Sequence, residues 1–195
     1  MKLTFDEIKA HIVPHEGVVS YMYLDTVGKV TVGVGNMLPD GLAAEALPFV
    51  DRVSRERASA DQKRADFDAV LRQPKAQSAR LYKQHTKLDL PDEEIWKLLE
   101  RRVVGFERQL TEIFPKFPDF PESAQLALLD MAFNLGAGAL GTRWPSLKQA
   151  VLAQNWLSAE QQCNRSTSSR ARNDATRALF RKAVGHSDEG AAMPV

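Results

Sequence analysis

Apolar residues near the start of the chain recur every three or four positions, which is typical of one face of a helix. These residues are Phe5, Ile8 and Ile12. Thr4 and Glu7 have the spacing of a capping box, so the helix is predicted to begin there. Pro14 disfavours helical geometry at the residue before it, and the helix is therefore predicted to end at about Val13. This places Glu16 just beyond the helix, where its side chain can point into a groove.

The next stretch alternates apolar residues with small or polar ones, as strands do. The runs "YMYLD" and "KVTVGVG" are two predicted strands, joined by "TVG", in which Gly28 supplies the positive φ of a tight hairpin turn. The two faces of the second strand carry Val30, Val32 and Val34 on one side and Thr31, Gly33 and Gly35 on the other. The valine face is predicted to pack on a core. The other face is predicted to leave room for a bound molecule.

The central part of the chain has the periodicity of helices. Two short helices are predicted over residues 40–54 and 59–73, followed by a long amphipathic helix over 90–114. The residues predicted to face inward from the long helix are Ile95, Leu98, Leu99, Val103 and Phe106.

The last third of the chain is also predicted to be helical. Residues 123–136 are apolar nearly all round and end at Gly136, which is typical of a buried central helix. Three further helices are predicted over 145–156, 158–164 and 168–185, and the tail at 186–195 is predicted to be frayed.

The composition limits the class of protein. A chain of 195 residues with 44% hydrophobic and 26% charged residues is long enough for one large domain or two lobes that share a core. The net charge of +1 does not indicate a nucleic acid or another polyanion as partner. The lone Cys163 cannot form an intramolecular disulfide and is interpreted as a small core residue on a helix. No apolar run resembles a secretory signal or a membrane span, so the protein is expected to leave the cytoplasm by another route.

The charges are unevenly distributed. Between positions 143 and 185 there are eight basic and two acidic residues, whereas positions 89–130 hold ten acidic and five basic ones. This asymmetry has two interpretations, which are two solvated helical faces or a basic wall beside an anionic substrate.

The acids Glu16 and Asp25 lie among apolar and aromatic residues, and Thr31 follows on the paired strand. Acids in such surroundings are normally paired or functional, because an uncompensated buried charge is costly. Hydrolysis of a glycosidic bond requires one carboxylic acid that protonates the leaving oxygen and one carboxylate that positions or deprotonates a water. The spacing alone is a weak indication of this chemistry.

The surrounding residues resemble a known family. The stretch "EGVVSYMYLDTVGKVTVGVGN" is similar to the motif E-G-x5-Y-x-D-x2-G-x2-T-x-G-x-G of the phage lysozymes, glycoside hydrolase family 24. The stretches "LPDEEIWKLLERRVVGFERQL", "LALLDMAFNLGAGALGTRWPSLKQAV" and "SSRARNDATRALF" resemble the family's connecting helix, its central buried helix with the loop and helix after it, and its Arg-rich penultimate helix. The resemblance implies an α+β, predominantly α fold with two lobes and a substrate cleft between them.

The resemblance also implies roles for individual residues. Glu16 matches the catalytic acid, Asp25 the carboxylate that handles the attacking water, and Thr31 the threonine that helps to hold it. The residues implied to bind substrate are Asn134, Gly136, Trp144 and Arg172, and Arg172 matches an arginine that pairs with the catalytic acid. The remaining tryptophans, Trp96 and Trp156, are assigned to packing.

Structural interpretations of the same residues stay open. Asp25 is also suited to starting a turn and Thr31 to a strand. Asn134 is also suited to capping a helix end, and Arg172 to an exposed helix face. His11 and His15 have no further donors at metal-ligand spacing, so no metal and no cofactor are assigned.

The expected architecture is a single lysozyme-like domain over 1–195, with a small α/β lobe at about 14–60 and a helical lobe at about 89–185. The segment 39–87 is longer than in the shortest family members, and it is expected to cover one end of the cleft or to bind a partner. The expected activity is that of an inverting peptidoglycan N-acetylmuramidase that lyses bacterial cell walls. A lytic transglycosylase and a catalytically silent wall-binding protein are the alternatives.

The biological setting has two alternatives, which are a phage endolysin released through a holin and an antibacterial effector delivered by a secretion apparatus. The expected partners are peptidoglycan glycan strands and, for an effector, an immunity protein. The protein is expected to act as a monomer in the periplasm or cell wall, without nucleic acid and without spanning a membrane.

Overall fold

The computed structural model describes residues 1–187, of which the side chains are described up to Gly185. The tail predicted at 186–195 lies outside the described residues, except for the two positions that end the last helix. The chain divides into a hairpin unit, Glu16–Arg101, and a helical unit formed by residues 1–15 and the chain from Arg102 onward. With 60% helix and a small antiparallel sheet, the predicted α+β, predominantly α class is confirmed.

The hairpin unit begins with a three-stranded antiparallel sheet in the order β1, β2, β3. The strands are β1 (Val19–Leu24), β2 (Val30–Gly33) and β3 (Asn36–Met37). In the register of β1 and β2, Tyr23 lies opposite Thr31. Gly28 has φ +87° in the connecting turn, and Val30, Val32 and Val34 are all buried, so the predicted hairpin and its core-facing valines are confirmed.

The rest of the hairpin unit contains two short helices, a second small sheet and the first part of a long helix. These elements are α2 (Gly41–Glu45), β4 (Val50–Asp51), α3 (Ala60–Leu71), β5 (Leu88–Asp89) and α4 (Asp92–Ile113). The helix predicted over 40–54 is wrong beyond Glu45, because Pro48 removes an amide donor and Val50 pairs instead with Asp89 of β5. The predictions of α3 and α4 are confirmed.

The first helix, α1 (Phe5–Glu16), begins as predicted and ends later than predicted. Thr4 and Glu7 form the capping box, with the Thr4 amide donating to Glu7 Oε2 over 2.8 Å and the Glu7 amide donating to Thr4 Oγ1 over 3.3 Å. Pro14 lies inside the last turn, where its missing N–H costs only one hydrogen bond, so the helix continues to Glu16. Gly17, with φ +74°, ends it.

The helical unit is organised around α5 (Glu122–Leu135), whose residues from Ser123 to Phe133 are almost all buried. The elements that follow are α6 (Ala137–Thr142), α7 (Pro145–Leu152), α8 (Trp156–Gln162) and α9 (Arg170–Ser187). The end of α5 at Gly136 is confirmed by its φ of +80°. The loop predicted after Gly136 is wrong, since α6 forms there, with Gly141 against Ile113.

Trp156 and Cys163 are buried as predicted, but Cys163 lies directly after a helix and not on one. Trp156 is 2% exposed, with its ring 4.9 Å from Phe120 and 6.4 Å from Phe180. Cys163 is fully buried directly after α8, and burial raises the pKa of its thiol to about 11. This thiol is therefore protonated and inert at neutral pH. No helix within the described part of the chain is long and apolar enough to cross a membrane.

Candidate active site

Asp25 follows the last residue of β1 and organises the hairpin turn. Its Oδ1 accepts hydrogen bonds from the backbone amides of Val27 and Lys29, at 3.0 and 2.8 Å. This is the Asx geometry that favours aspartate at the start of a turn. Among residues 1–187, Oδ2 of Asp25 has no hydrogen-bond partner. One carboxylate oxygen thus shapes the turn, while the other remains available to a water.

Thr31 lies on β2 and is 2% exposed. Its Oγ1 donates to the carbonyl oxygen of Lys29 over 3.1 Å, and the amide of Asp25 donates to the same oxygen over 2.9 Å. Since the Thr31 hydroxyl uses its proton in this bond, its lone pairs remain able to accept a hydrogen bond. The hairpin therefore brings Asp25 and Thr31 together around one peptide carbonyl.

The room predicted beside the glycines of β2 is partly wrong. A Cβ built on Gly33 would lie 3.3 Å from Cγ2 of Ile95, so the first turn of α4 fills this place. Gly33 also has φ +68°, a conformation that glycine adopts without strain. The absence of a side chain at Gly33 thus allows α4 to pack closely on the sheet and does not leave space for a ligand.

Glu16 is the last residue of α1 and is half-buried. It ends the helix directly before Gly17, which turns the chain toward β1. The helix end therefore sets the position of the first acid and the hairpin sets that of the second. The catalytic role of Glu16 stays a prediction.

Arg172, on α9, is 8% exposed and is not a solvated helix charge. Its Nε and Nη2 both lie 2.9 Å from Oδ1 of Asp130, on α5. Arg165 binds the other oxygen of the same carboxylate, Oδ2, through Nη2 at 2.8 Å. Thr176 also donates to Oδ2 over 2.8 Å. The implied pairing of Arg172 with the catalytic acid stays a prediction.

This cluster is fully desolvated at its centre, because the side chains of Asp130 and Arg165 are both 0% exposed. Burial alone would raise the pKa of Asp130, but the guanidiniums of Arg172 and Arg165 and the hydroxyl of Thr176 outweigh it and hold the pKa below its usual value. Asp130 is therefore ionised and fixes the orientation of two arginines.

One group of side chains has the composition of a metal site. It consists of His11, His15 and Asp130, whose potential ligand atoms lie within 4.8 Å of one another. Burial lowers the pKa of His11, which keeps the imidazole neutral, and Nε2 of His11 lies 4.0 Å from Oδ1 of Asp130. Asp130 was not predicted to belong to this group. Both oxygens of Asp130 already bind guanidiniums, and this positive surrounding disfavours a divalent cation.

Two of the predicted substrate-binding residues lie at the end of α5. Asn134 is exposed, and its Oδ1 accepts a 2.7 Å hydrogen bond from the hydroxyl of Ser168. The helix is capped at Gly136 and not by the side chain of Asn134. Gly136 is exposed and leads directly into α6. Both residues are accessible to a ligand, and their role in binding stays a prediction.

Trp144, the third of these residues, is half-buried directly before α7. It lines a surface cavity of about 320 Å³. The other lining residues include Arg143, Leu147, Gln161, Gln162 and Asn164. An aromatic ring among amide and guanidinium groups is a combination that suits the apolar and hydroxylated faces of a sugar.

Several of the basic residues over 143–185 are paired with acids. Arg165 and Arg172 bind Asp130, Arg177 binds Asp174, and Arg181 binds Glu160. The partner Asp130 is buried and lies in the acidic stretch 89–130, so the two charged stretches partly compensate each other. The basic stretch is therefore not a continuous basic wall.

Asp130 is the main residue that the sequence analysis missed. It is the one buried acid of α5 and the one acid in the apolar stretch 123–136, and this was the available signal. Its partners lie 35 and 42 positions away on the chain, so no local pattern identifies them.

The whole-chain comparison agrees with the motif. The family model described as phage lysozyme matches residues 13–183. The chain therefore belongs to the phage lysozyme family, and the predicted resemblance is confirmed. This membership implies a lysozyme-like glycoside hydrolase that degrades peptidoglycan. No curated protein matches the chain.

Proposed function

We propose that the protein is a peptidoglycan N-acetylmuramidase that hydrolyses the β-1,4 bond between N-acetylmuramic acid and N-acetylglucosamine with inversion. Glu16 is the general acid that protonates the leaving oxygen. Asp25 and Thr31 hold the attacking water, and Asp25 accepts its proton. Arg172 orients the acid, while Asn134, Gly136 and Trp144 bind the glycan.

The main support for this proposal is that the two oxygens of the Asp25 carboxylate have different surroundings. Oδ1 is fixed by two backbone amides, and Oδ2 has no partner among the residues described. A residue needed only for the turn would be replaceable by asparagine, whereas a base must be a carboxylate. Thr31 supports the same role, since its hydroxyl oriented by the Lys29 carbonyl leaves lone pairs for a water.

The reaction products separate this activity from its alternatives. Purified peptidoglycan digested in ¹⁸O-labelled water should give muramic acid reducing ends that carry solvent oxygen, initially in the α configuration. A 1,6-anhydro product would indicate a lytic transglycosylase, which needs no water-handling carboxylate. No product together with retained binding would indicate a wall-binding protein.

The proposed activity has two possible biological settings. The protein acts as a monomer on the cell wall, either as an endolysin released through a holin or as an effector delivered by a secretion apparatus. A gene for a holin beside this one supports the endolysin. A gene for a small periplasmic protein that inhibits wall lysis by this enzyme supports the effector and identifies the immunity partner.

A further inference from the structure

The segment 72–87 of the hairpin unit, here called the basic segment, has five cationic side chains and no acidic residue. The cations are Arg72, Lys75, Arg80, Lys83 and Lys87, and all five are exposed. The whole chain has a net charge of only +1, so this is a strong local excess. It lies within the segment 39–87, for which the sequence predicted either a cover for the cleft or a binding role.

These cations differ from several cations of α9 in forming no ion pair within the described residues, although Asp51 and Asp66 interact electrostatically with Lys87. None of the five has a carboxylate within ion-pair distance among residues 1–187. By contrast, Arg177 and Arg181 are paired with acids. Unpaired cations on one short segment repel each other, which destabilises the folded chain unless a ligand or salt compensates the charge. The basic segment is therefore suited to binding anions.

The backbone of the basic segment is held in place by buried groups. Tyr82 is 1% exposed and donates from its hydroxyl to the carbonyl oxygen of Pro74 over 2.7 Å. Nη1 of Arg52 donates to the carbonyl oxygen of Thr86 over 2.8 Å. The carboxylate of Asp66, which is 6% exposed, accepts from the amides of Lys87 and Leu88. The cations thus project from a fixed scaffold, and binding does not require the segment to become ordered.

The basic segment lies along the hairpin that carries Asp25. The Cδ of Lys75 is 3.3 Å from the place of a Cβ on Gly28, in the turn directly after Asp25. The ammonium of Lys83 lies 5.6 Å from the ring centre of Tyr21 on β1, and Arg52 lies over the same ring at 5.6 Å. An anion bound by Lys75 therefore lies near the turn that Asp25 organises, and one bound by Lys83 lies along β1 of the same hairpin.

We propose that the basic segment binds the carboxylate groups of the peptide stems of peptidoglycan, close to the glycosidic bond to be cleaved. This inference rests on the proposed function. Peptidoglycan strands carry such carboxylates at each muramic acid residue, on flexible peptides. Lysine ammonium groups on flexible stems suit anions whose positions vary, since they need no fixed bidentate geometry. Each pair of an exposed cation and a stem carboxylate should add a small amount to the binding free energy, and this amount should decrease as the salt concentration rises.

The test uses two triple variants that remove the same charge. The first is Lys75→Gln, Arg80→Gln and Lys83→Gln in the basic segment. The control is Arg101→Gln, Arg108→Gln and Lys116→Gln, three exposed cations elsewhere that also have no carboxylate partner within the described chain. Each set is also combined with Glu16→Gln, and binding to sacculi freed of teichoic acids and lipids is measured by sedimentation at low and physiological ionic strength.

We expect the basic-segment variant to bind about tenfold more weakly at low salt, since each exposed pair contributes modestly, and the control to bind within about twofold of the parent. The difference should disappear on sacculi whose carboxylates are converted into amides. Equal binding by the two triple variants would overturn the proposal. So would a difference that persists on amidated sacculi, or that appears on anionic phospholipid vesicles and not on sacculi.

Failure of this proposal is distinguishable from failure of the proposed function. With Glu16 intact, both triple variants should cleave a soluble glycan without peptide stems at the parental rate, because their side chains are outside the proposed catalytic groups. Absence of this cleavage in the parent would contradict the muramidase. The sedimentation result decides the basic segment independently.

Discussion

The amide of Asp25 and the hydroxyl of Thr31 donate to the same acceptor, the carbonyl oxygen of Lys29. Tyr23 lies opposite Thr31 in the register of β1 and β2, so Asp25, two residues after Tyr23, is a diagonal neighbour of Thr31 on the same face of the hairpin. Their relative position is thus determined by backbone pairing, which is more rigid than a contact between long side chains. This rigidity makes the roles of the two residues separately testable.

Asp25→Asn should strongly reduce activity and preserve the fold. The amide oxygen of asparagine still accepts from the amides of Val27 and Lys29, but the side chain no longer takes a proton from water. We expect the rate of wall hydrolysis to fall about 100-fold or more, with an unchanged melting temperature. Turbidity loss of a wall suspension and thermal denaturation measure the two effects. A variant that retains parental activity would mean that Asp25 serves the turn alone.

The hydroxyl of Thr31 should contribute to activity independently of its β-branched shape. Thr31→Val keeps the shape and removes the hydrogen bond to Lys29, so we expect lower activity and a loss of about 1 kcal/mol in the free energy of unfolding. Thr31→Ser keeps the hydroxyl and serves as the control, with most of the activity retained. The assignment would be wrong if the valine variant were the more active of the two.

Asp130→Asn should destabilise the protein strongly, because it leaves Arg165 and Arg172 without their buried counter-charge. The expected loss is about 3–5 kcal/mol in the free energy of unfolding, measured by urea denaturation at neutral pH. Thr176→Val, which removes one neutral donor to Asp130, should cost about 1–3 kcal/mol and is the comparison.

The contribution of Asp130 should depend on pH in a definite direction. Its pKa is lower in the folded protein than in the unfolded chain, so the unfolded chain binds more protons in this range. The stabilisation is present above the ordinary aspartate pKa and is lost as the pH falls through the folded pKa. The stability difference between the parent and Asp130→Asn should therefore shrink in acid. A difference that grew as the pH fell would contradict this assignment.

Glycine substitutions should have opposite effects in the hairpin turn and in α6. Gly28 has φ +87°, and a Cβ there would also contact Lys75, so Gly28→Ala should cost about 1 kcal/mol or more. Gly138 is helical, with nothing within 4 Å of an added Cβ, so Gly138→Ala should stabilise by about 0.5–1 kcal/mol. Melting curves of the two variants measure the contrast. Equal shifts in both would refute the role of the positive φ.

Local patterns were sufficient for much of the fold. The capping box at Thr4 and Glu7, the turn at Gly28 and the helix α4 all depend on residues near one another in sequence, and each was predicted. Pro14 was misjudged because a proline in the last turn of a helix removes only one hydrogen bond.

The failures beyond α1 have long-range causes. The strand at Val50 forms because Val50 pairs with Asp89. The space beside Gly33 is occupied by the side chain of Ile95, which is distant in sequence. Asp130, which binds Arg172, was likewise missed, since it lies 42 positions before Arg172. For the candidate site, the family motif identified the candidate catalytic residues. The division of the Asp25 carboxylate, with one oxygen bound to the turn, follows only from the folded structure.

Glu16 is proposed to be the proton donor of the reaction. The most direct measurement is the release of reducing ends from purified peptidoglycan by Glu16→Gln, together with its melting temperature. A glutamine cannot donate a proton to the leaving oxygen, so no release above background is expected, with a melting temperature equal to or above that of the parent. Release at the parental rate by this variant would contradict the account.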